Sequence, residues 1–186
     1  MKFALAILFA LIVSATASAQ YRDYLTDQEI EVVRDAQQID ERIDVLVHMI
    51  DRRLAVLGAG PASSKKEKLD VWGPPPTGTR IQLLNDIKQI LQKAVDDIDN
   101  LSSRPDSMVV EETEDGKKPK GFSDLFPKAV RILASGASRF EPIFKTELDK
   151  STDPMEKGVI QSSIDRCDEI MASVAKLPAE VKKAKH

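Results

Sequence analysis

Apolar positions recur at alternating intervals of three and four in four separate stretches, divided by segments rich in proline and glycine. The first stretch reads Val32, Ala36, Ile39, Ile43, Leu46 and Ile50, and continues near Leu54 and Leu57 to Gly58. It is preceded by Thr26-Asp27-Gln28-Glu29, which has the T-x-x-E spacing of a capping box. Together these predict one continuous helix of about 30 residues, about 45 Å long at 1.5 Å per residue. The second stretch opens at Thr79 with Gln82 three residues on and carries Leu84, Ile87, Leu91, Val95, Ile98 and Leu101, until Pro105 forbids continuation.

The third stretch is expected to begin after Ser123, with Pro127 tolerated in its first turn. Phe126, Val130, Leu133, Ala137, Phe140, Phe144 and Leu148 stay in phase throughout. Pro142 removes an amide and crowds the carbonyl of Ser138, but the seam keeps phase across it, so the pattern favours one helix kinked near Pro142 over a broken pair. The small residues Ser135 to Ser138 would let a neighbouring helix approach closely. The fourth stretch has Asp153 as N-cap, Pro154 at the first helical position and Glu156 in the first turn. Its face reads Ile160, Ile164, Cys167, Met171 and Val174, flanked by Ile170, and Leu177-Pro178 closes it.

Four amphipathic helices, each with one buried stripe, predict an all-α fold: a four-helix bundle of long helices, packed antiparallel, with two long loops. The short turn near Ser151 to Asp153 makes the last two helices antiparallel neighbours, while the other two connections are long for a compact bundle. Period-two runs of β-branched residues are absent apart from Val109-Val110. One helical domain is expected over residues 20–178, followed by a charged flexible tail at 179–186.

Ahead of this domain, Lys2, the apolar run Phe3 to Val13 and Ala17-Ser18-Ala19 have the order of a secretory signal peptide over residues 1–19. The run is too short to span a bilayer, and no later stretch is long and apolar enough, so no membrane span is expected after cleavage. A periplasmic or extracellular location follows. Removing the signal lowers the apolar share from 42% of 186 residues to about 38%, enough for one modest core. The formal charge of −3 moves only to about −4, which excludes a strongly basic nucleic-acid footprint. Cys167 is the single cysteine, so no intramolecular disulfide can form; its place on an apolar stripe predicts a buried, inert thiol.

Candidate chemistry is sparse. His48 and Cys167 cannot furnish a standard zinc set, and no Glu-x-x-His, Cys-x-x-Cys-His or G-x-S-x-G run occurs. Gly58-Ala59-Gly60-Pro61 lacks the features of a phosphate loop. Asp96, Asp97 and Asp99, and Glu111, Glu112, Glu114 and Asp115, do not follow EF-hand spacing. A solvated helix face and an acidic loop explain them. No catalytic, metal or cofactor residue is therefore assigned, and a non-enzymatic protein is expected. The alternative is a bundle core carrying a small ligand, a divalent metal or haem held by His48 and a methionine such as Met171.

The most individual segment is Asp70 to Arg80, in which Pro74-Pro75-Pro76 follows the only tryptophan, Trp72. Three prolines favour an extended, low-entropy stretch. One reading is a preformed docking segment for an aromatic-lined partner groove. The simpler reading packs Trp72 on the bundle end and lets the prolines stiffen the entry to the second helix. Tyr21 and Tyr24 are the other aromatics outside the helices, so the candidate docking set is Tyr21, Tyr24, Trp72, Pro74, Pro75 and Pro76. Asp23-Tyr24-Leu25-Thr26 with Glu29, together with Gly73 to Arg80, resemble an uncharacterised family of secreted α-helical bacterial proteins over residues 21–101. The resemblance brings no activity, and it implies that the Pro-rich entry belongs to the fold. The functional expectation is an exported interaction or cell-envelope module. Its partner is another protein, or a second copy through the long first helix.

Overall fold

The computed structural model describes residues 22–60, 69–105 and 121–177. The segment 1–19 expected to be a signal peptide, Tyr21, residues 61–68 of the first long connection, most of the second (106–120) and the tail expected at 179–186 lie outside the described residues. The described chain is all-helical: α1 Asp27–Asp35, α2 Ile39–Val56, α3 Leu69–Trp72, α4 Arg80–Ser103, α5 Phe122–Lys150 and α6 Pro154–Ser173, closed by a 3-10 turn at Val174–Lys176.

Local signals set most of these ends. Thr26 Oγ1 accepts from the Glu29 amide at 3.2 Å, and Glu29 Oε2 accepts from the Thr26 amide at 3.0 Å. The same reciprocal box closes Thr79 and Gln82 at the start of α4. Asp153 caps α6 by accepting from the Met155 amide at 2.8 Å, with Pro154 behind it. α5 starts at Phe122 after Gly121, with no side-chain cap, and runs unbroken through Pro127 and Pro142. Pro142 leaves the Ser138 carbonyl without its helical donor at an exposed position, where water can satisfy it.

The first seam is not one helix. The chain leaves helical geometry at Ala36 and re-enters after Gln38, so α1 folds back on α2. The reason is Glu29, whose carboxylate meets Arg52 Nη1 at 2.6 Å and Arg53 Nη2 at 2.8 Å. In a continuous helix, 23 residues would hold Glu29 and Arg52 about 35 Å apart. Arg42 Nε secures the corner by donating to the Ala36 carbonyl at 3.0 Å. The long unbroken surface on which helix-mediated self-association was expected is therefore absent, and Ile43, Leu46, Ile50 and Leu54 point into the core.

α2 packs on α4 and α5, and α6 packs on the same two helices from the opposite side. Directions follow from the cross-links. Lys128 pairs with Asp40 and Arg139 with Asp51, the same spacing along both helices, so α2 and α5 run parallel. Arg80 meets Glu156, and Arg166 meets Gln92, which makes α4 and α6 parallel as well. The expected all-antiparallel neighbours are thus corrected: α2 with α4 and α5 with α6 are antiparallel, and the other two adjacent pairs are not. Gly136 explains the close parallel pair, because a Cβ there would lie 3.0 Å from Val47 Cγ2.

Ile43, Leu46, Met49, Ile50, Ile87, Ile90, Leu91, Phe140, Phe144, Ile160 and Cys167 fill the interior. On α6 the stripe turns slightly from expectation, with Ile170 buried and Met171 only half-buried. Among the described residues, no helix is long and apolar enough to cross a membrane.

Candidate functional site

Charged residues occupy core-facing positions at the end of the fold where α2 finishes and α4 begins. Arg53 follows Leu46 and Ile50 at helical spacing, and Asp86 stands in phase with Leu83 and Ile90. Both side chains are almost fully buried, as is that of Glu29 on α1.

Glu29 is the centre. Its two oxygens accept four hydrogen bonds: from the Thr26 amide, Arg52 Nη1, Arg53 Nη1 at 3.0 Å and Arg53 Nη2. That fills the acceptor sites of a carboxylate. Burial pushes the Glu29 carboxyl upward, but the hydrogen bond and charge of Arg53, the Thr26 amide and the charge of Arg52 outweigh it and hold the carboxyl below its ordinary value. Arg53 also donates to the carbonyls of Met49 at 3.1 Å and Tyr24. Its Nε lies 3.5 Å from Asp86 Oδ2, an electrostatic contact at the edge of hydrogen bonding.

Asp86 is gripped from the other side by Arg22, whose Nη1 and Nη2 donate at 2.9 and 2.7 Å. Here burial prevails, and the Asp86 carboxyl is pushed above its ordinary value despite Arg22 and Arg53. Three guanidinium groups thus face two carboxylates; several of their other donors go to backbone oxygen, while the buried Nε atoms of Arg52 and Arg53 make no hydrogen bond.

The backbone oxygens that Arg52 and Arg22 reach belong to the Pro-rich segment. Arg52 Nη2 donates to the Gly73 carbonyl at 3.2 Å and the Pro74 carbonyl at 2.8 Å, and Arg22 Nη2 to the Thr77 carbonyl at 2.7 Å. Residues 73–79 therefore form a strap pinned by its carbonyls from beneath. Gly73 adopts φ +63°, a left-handed conformation that suits glycine, and turns the chain out of α3. Trp72 packs at the head of the strap, its ring centroid 4.4 Å from that of His48 and 5.7 Å from the Arg52 guanidinium.

Of the docking set, the structure gathers half-buried Trp72 with Pro74, Pro75 and Pro76 at this end of the molecule; Tyr24 offers its carbonyl to Arg53 there, but it lines a separate groove along α4 with Gln89, Gln92 and Lys93. Pro76 is buried, whereas Pro74 and Pro75 are exposed, as is Val71 beside Trp72. Tyr21 lies outside the described residues. Arg22, Arg52, Arg53 and Asp86 were missed by the sequence reading. Arg53 and Asp86 carried a signal, a charge in phase with an apolar stripe; Arg22, ahead of the first helix, carried none.

The remaining candidates fall elsewhere. Cys167 is fully buried on α6, and burial pushes its thiol up to about 12, so it carries almost no thiolate near neutrality. His48 turns its ring against Trp72. Asp96 accepts from Gln92 at 2.7 Å and Asp97 pairs with Lys93 at 3.1 Å along α4, whereas Glu111 to Asp115 lie outside the described residues. Among the described residues, no group of three or more His, Cys, Asp or Glu side chains is gathered for a metal ion. No protein-family model, curated protein or solved structure matches this chain.

Proposed function

We propose that this chain is an exported, non-enzymatic docking module: a four-helix bundle of α2, α4, α5 and α6 that presents the Gly73–Thr79 strap to a protein partner with an aromatic-lined groove. The observation carrying the reading is the two-sided character of the strap. Its inner carbonyls at Gly73, Pro74 and Thr77 are held by Arg52 and Arg22, while the rings of Pro74 and Pro75 face solvent. A segment whose shape is already fixed loses little conformational entropy on binding. The bundle is supported by the pairwise packing of the four long helices around one core. Export rests on the order of charges, apolar run and small residues at 1–19.

A photo-crosslinking residue in place of Pro75, in cells exporting the protein, tests the docking role. A discrete protein adduct at this position, absent when the same residue replaces exposed Ala172, supports it. Equal labelling at both positions refutes it. Pro74→Ala with Pro75→Ala should weaken capture of that partner without lowering Tm. Pro76→Ala should lower Tm, because its ring is buried. N-terminal sequencing of the exported chain should begin at Gln20; retention of Met1 refutes cleavage.

A further inference from the structure

The N-terminal arm, residues 22–35, is attached to the rest of the protein in an unusual way. Within α1 itself the buried residue is Glu29, a carboxylate, with Ile30 and Val33 only half-buried. By contrast α4 buries Leu83, Leu84, Ile87, Ile90, Leu91, Ala94 and Ile98. The principal neighbours of α1 are α2 and α3. The arm is thus tied down by the buried charge of Glu29 together with one apolar anchor, Leu25, and the half-buried Tyr24, Ile30 and Val33 packed against the core, whereas α4 is held by a full apolar stripe.

The arm and the strap also hold each other. Arg22 at the start of the arm donates to Thr77 near the end of the strap. Gln28 lies against Gly73 at the strap's beginning, where a Cβ would come within 2.9 Å of the Gln28 side chain. Between these points Arg52 is shared, with one nitrogen on Glu29 of the arm and the other on Gly73 and Pro74 of the strap. The two segments run antiparallel across the buried charges.

From these shared ties we infer that arm and strap form one clasp, which opens and closes as a unit on a helical core that stays folded. Displacing Glu29 removes the anion that orients Arg52, and Arg52 in turn holds the strap carbonyls. Distorting the strap removes the surface on which Gln28 and Arg22 rest. Because the coupling is a free energy shared by both segments, a ligand that favours either open segment favours the other in equal measure. The inference does not depend on the docking reading, since the coupling exists without a partner.

Trp72 sits at the head of the strap, in α3 where α1 also packs, and is the only tryptophan, so its emission reports the junction of strap and arm. Hydrogen exchange at the α1 amides reports the arm. Both are measured on the mature protein and on three variants. Glu29→Gln perturbs the arm, Gly73→Ala perturbs the strap through its left-handed φ and also presses on Gln28, and Arg52→Lys keeps the shared charge but loses the guanidinium fork. In each, α1 exchange and acrylamide quenching of Trp72 should rise together, exchange by about tenfold or more, while α4, α5 and α6 amides keep wild-type protection.

Glu29→Gln that speeds α1 exchange with unchanged Trp72 quenching overturns the inference. So does Gly73→Ala that frees Trp72 with α1 exchange unmoved. Core amides that lose protection in step with α1 in all three variants also overturn it, because the arm would then open only with global unfolding. Arg52→Lys guards against a variant that fails to fold, since it retains the positive charge beside Glu29.

Discussion

Removing the Glu29 carboxylate by Glu29→Ala strikes the centre of the buried charges. Its oxygens take three hydrogen bonds from Arg52 and Arg53 and a fourth from the Thr26 amide, and its side chain is wholly buried. Both arginines are also almost entirely buried, so water does not readily replace the lost anion. Breaking a buried pair by deleting one partner costs about 3–5 kcal/mol, a large part of the roughly 5–15 kcal/mol that stabilises an ordinary domain. Urea unfolding of the variant, followed by Trp72 emission and helical ellipticity in the same samples, measures the effect. The Trp72 transition should lose about 3–5 kcal/mol, and the ellipticity transition less, because α2, α4, α5 and α6 keep their apolar core. The triple variant Glu29→Leu, Arg52→Met, Arg53→Met should lose less than Glu29→Ala alone, since it leaves no unpaired buried charge. A Trp72 loss under about 1 kcal/mol, the size expected of an exposed ion pair, refutes the reasoning.

Other consequences follow from single groups. Glu29 has a folded value below its unfolded one, so its stabilisation is complete above the ordinary glutamate range and is lost as pH falls through the lowered value. Asp86 is raised, so it contributes the opposite slope: stability grows as pH falls from its raised value toward the ordinary aspartate range. Between about pH 7 and about pH 3, Asp86→Asn should steepen the fall in Tm and Glu29→Gln should flatten it; the reverse order contradicts the assignment. Gly136→Ala should cost about 1–3 kcal/mol in urea unfolding through overpacking against Val47 and Phe140, and Val47→Ala should recover part of that loss; additive losses refute the contact. Cys167 should resist a thiol reagent at about pH 8 in the native protein and react once urea unfolds it, whereas rapid native labelling contradicts its burial.

The four seams were legible because each is written in local spacing. Thr26, Thr79 and Asp153 announce their helices by side chains that bond amides two or three residues on, and the structure uses all three. The break at Ala36 was not legible, because neither glycine nor proline stands there and the apolar spacing continues through it. What bends the chain is an attraction between Glu29 and arginines 23 and 24 residues away, and no local pattern encodes it. The parallel pairing of α2 with α5 depends similarly on Gly136 meeting Val47 across two helices. The strap was recognisable from its prolines and Trp72. Its anchoring was not, because backbone carbonyls accept the anchoring bonds and their identity leaves no mark in the sequence. Arg53 and Asp86 did carry a signal, a charge in a stripe position, and its meaning emerged only when the two stripes were brought face to face.

Buried Arg52 and the more exposed Arg22 hold the strap in one shape through its carbonyls. Time-resolved fluorescence anisotropy of Trp72 tests this most directly. In the wild-type protein the decay should follow the slow tumbling of the whole domain, and in Arg52→Lys a fast nanosecond component should appear. A fast component of the same amplitude already present in the wild-type protein would contradict a strap fixed by Arg52.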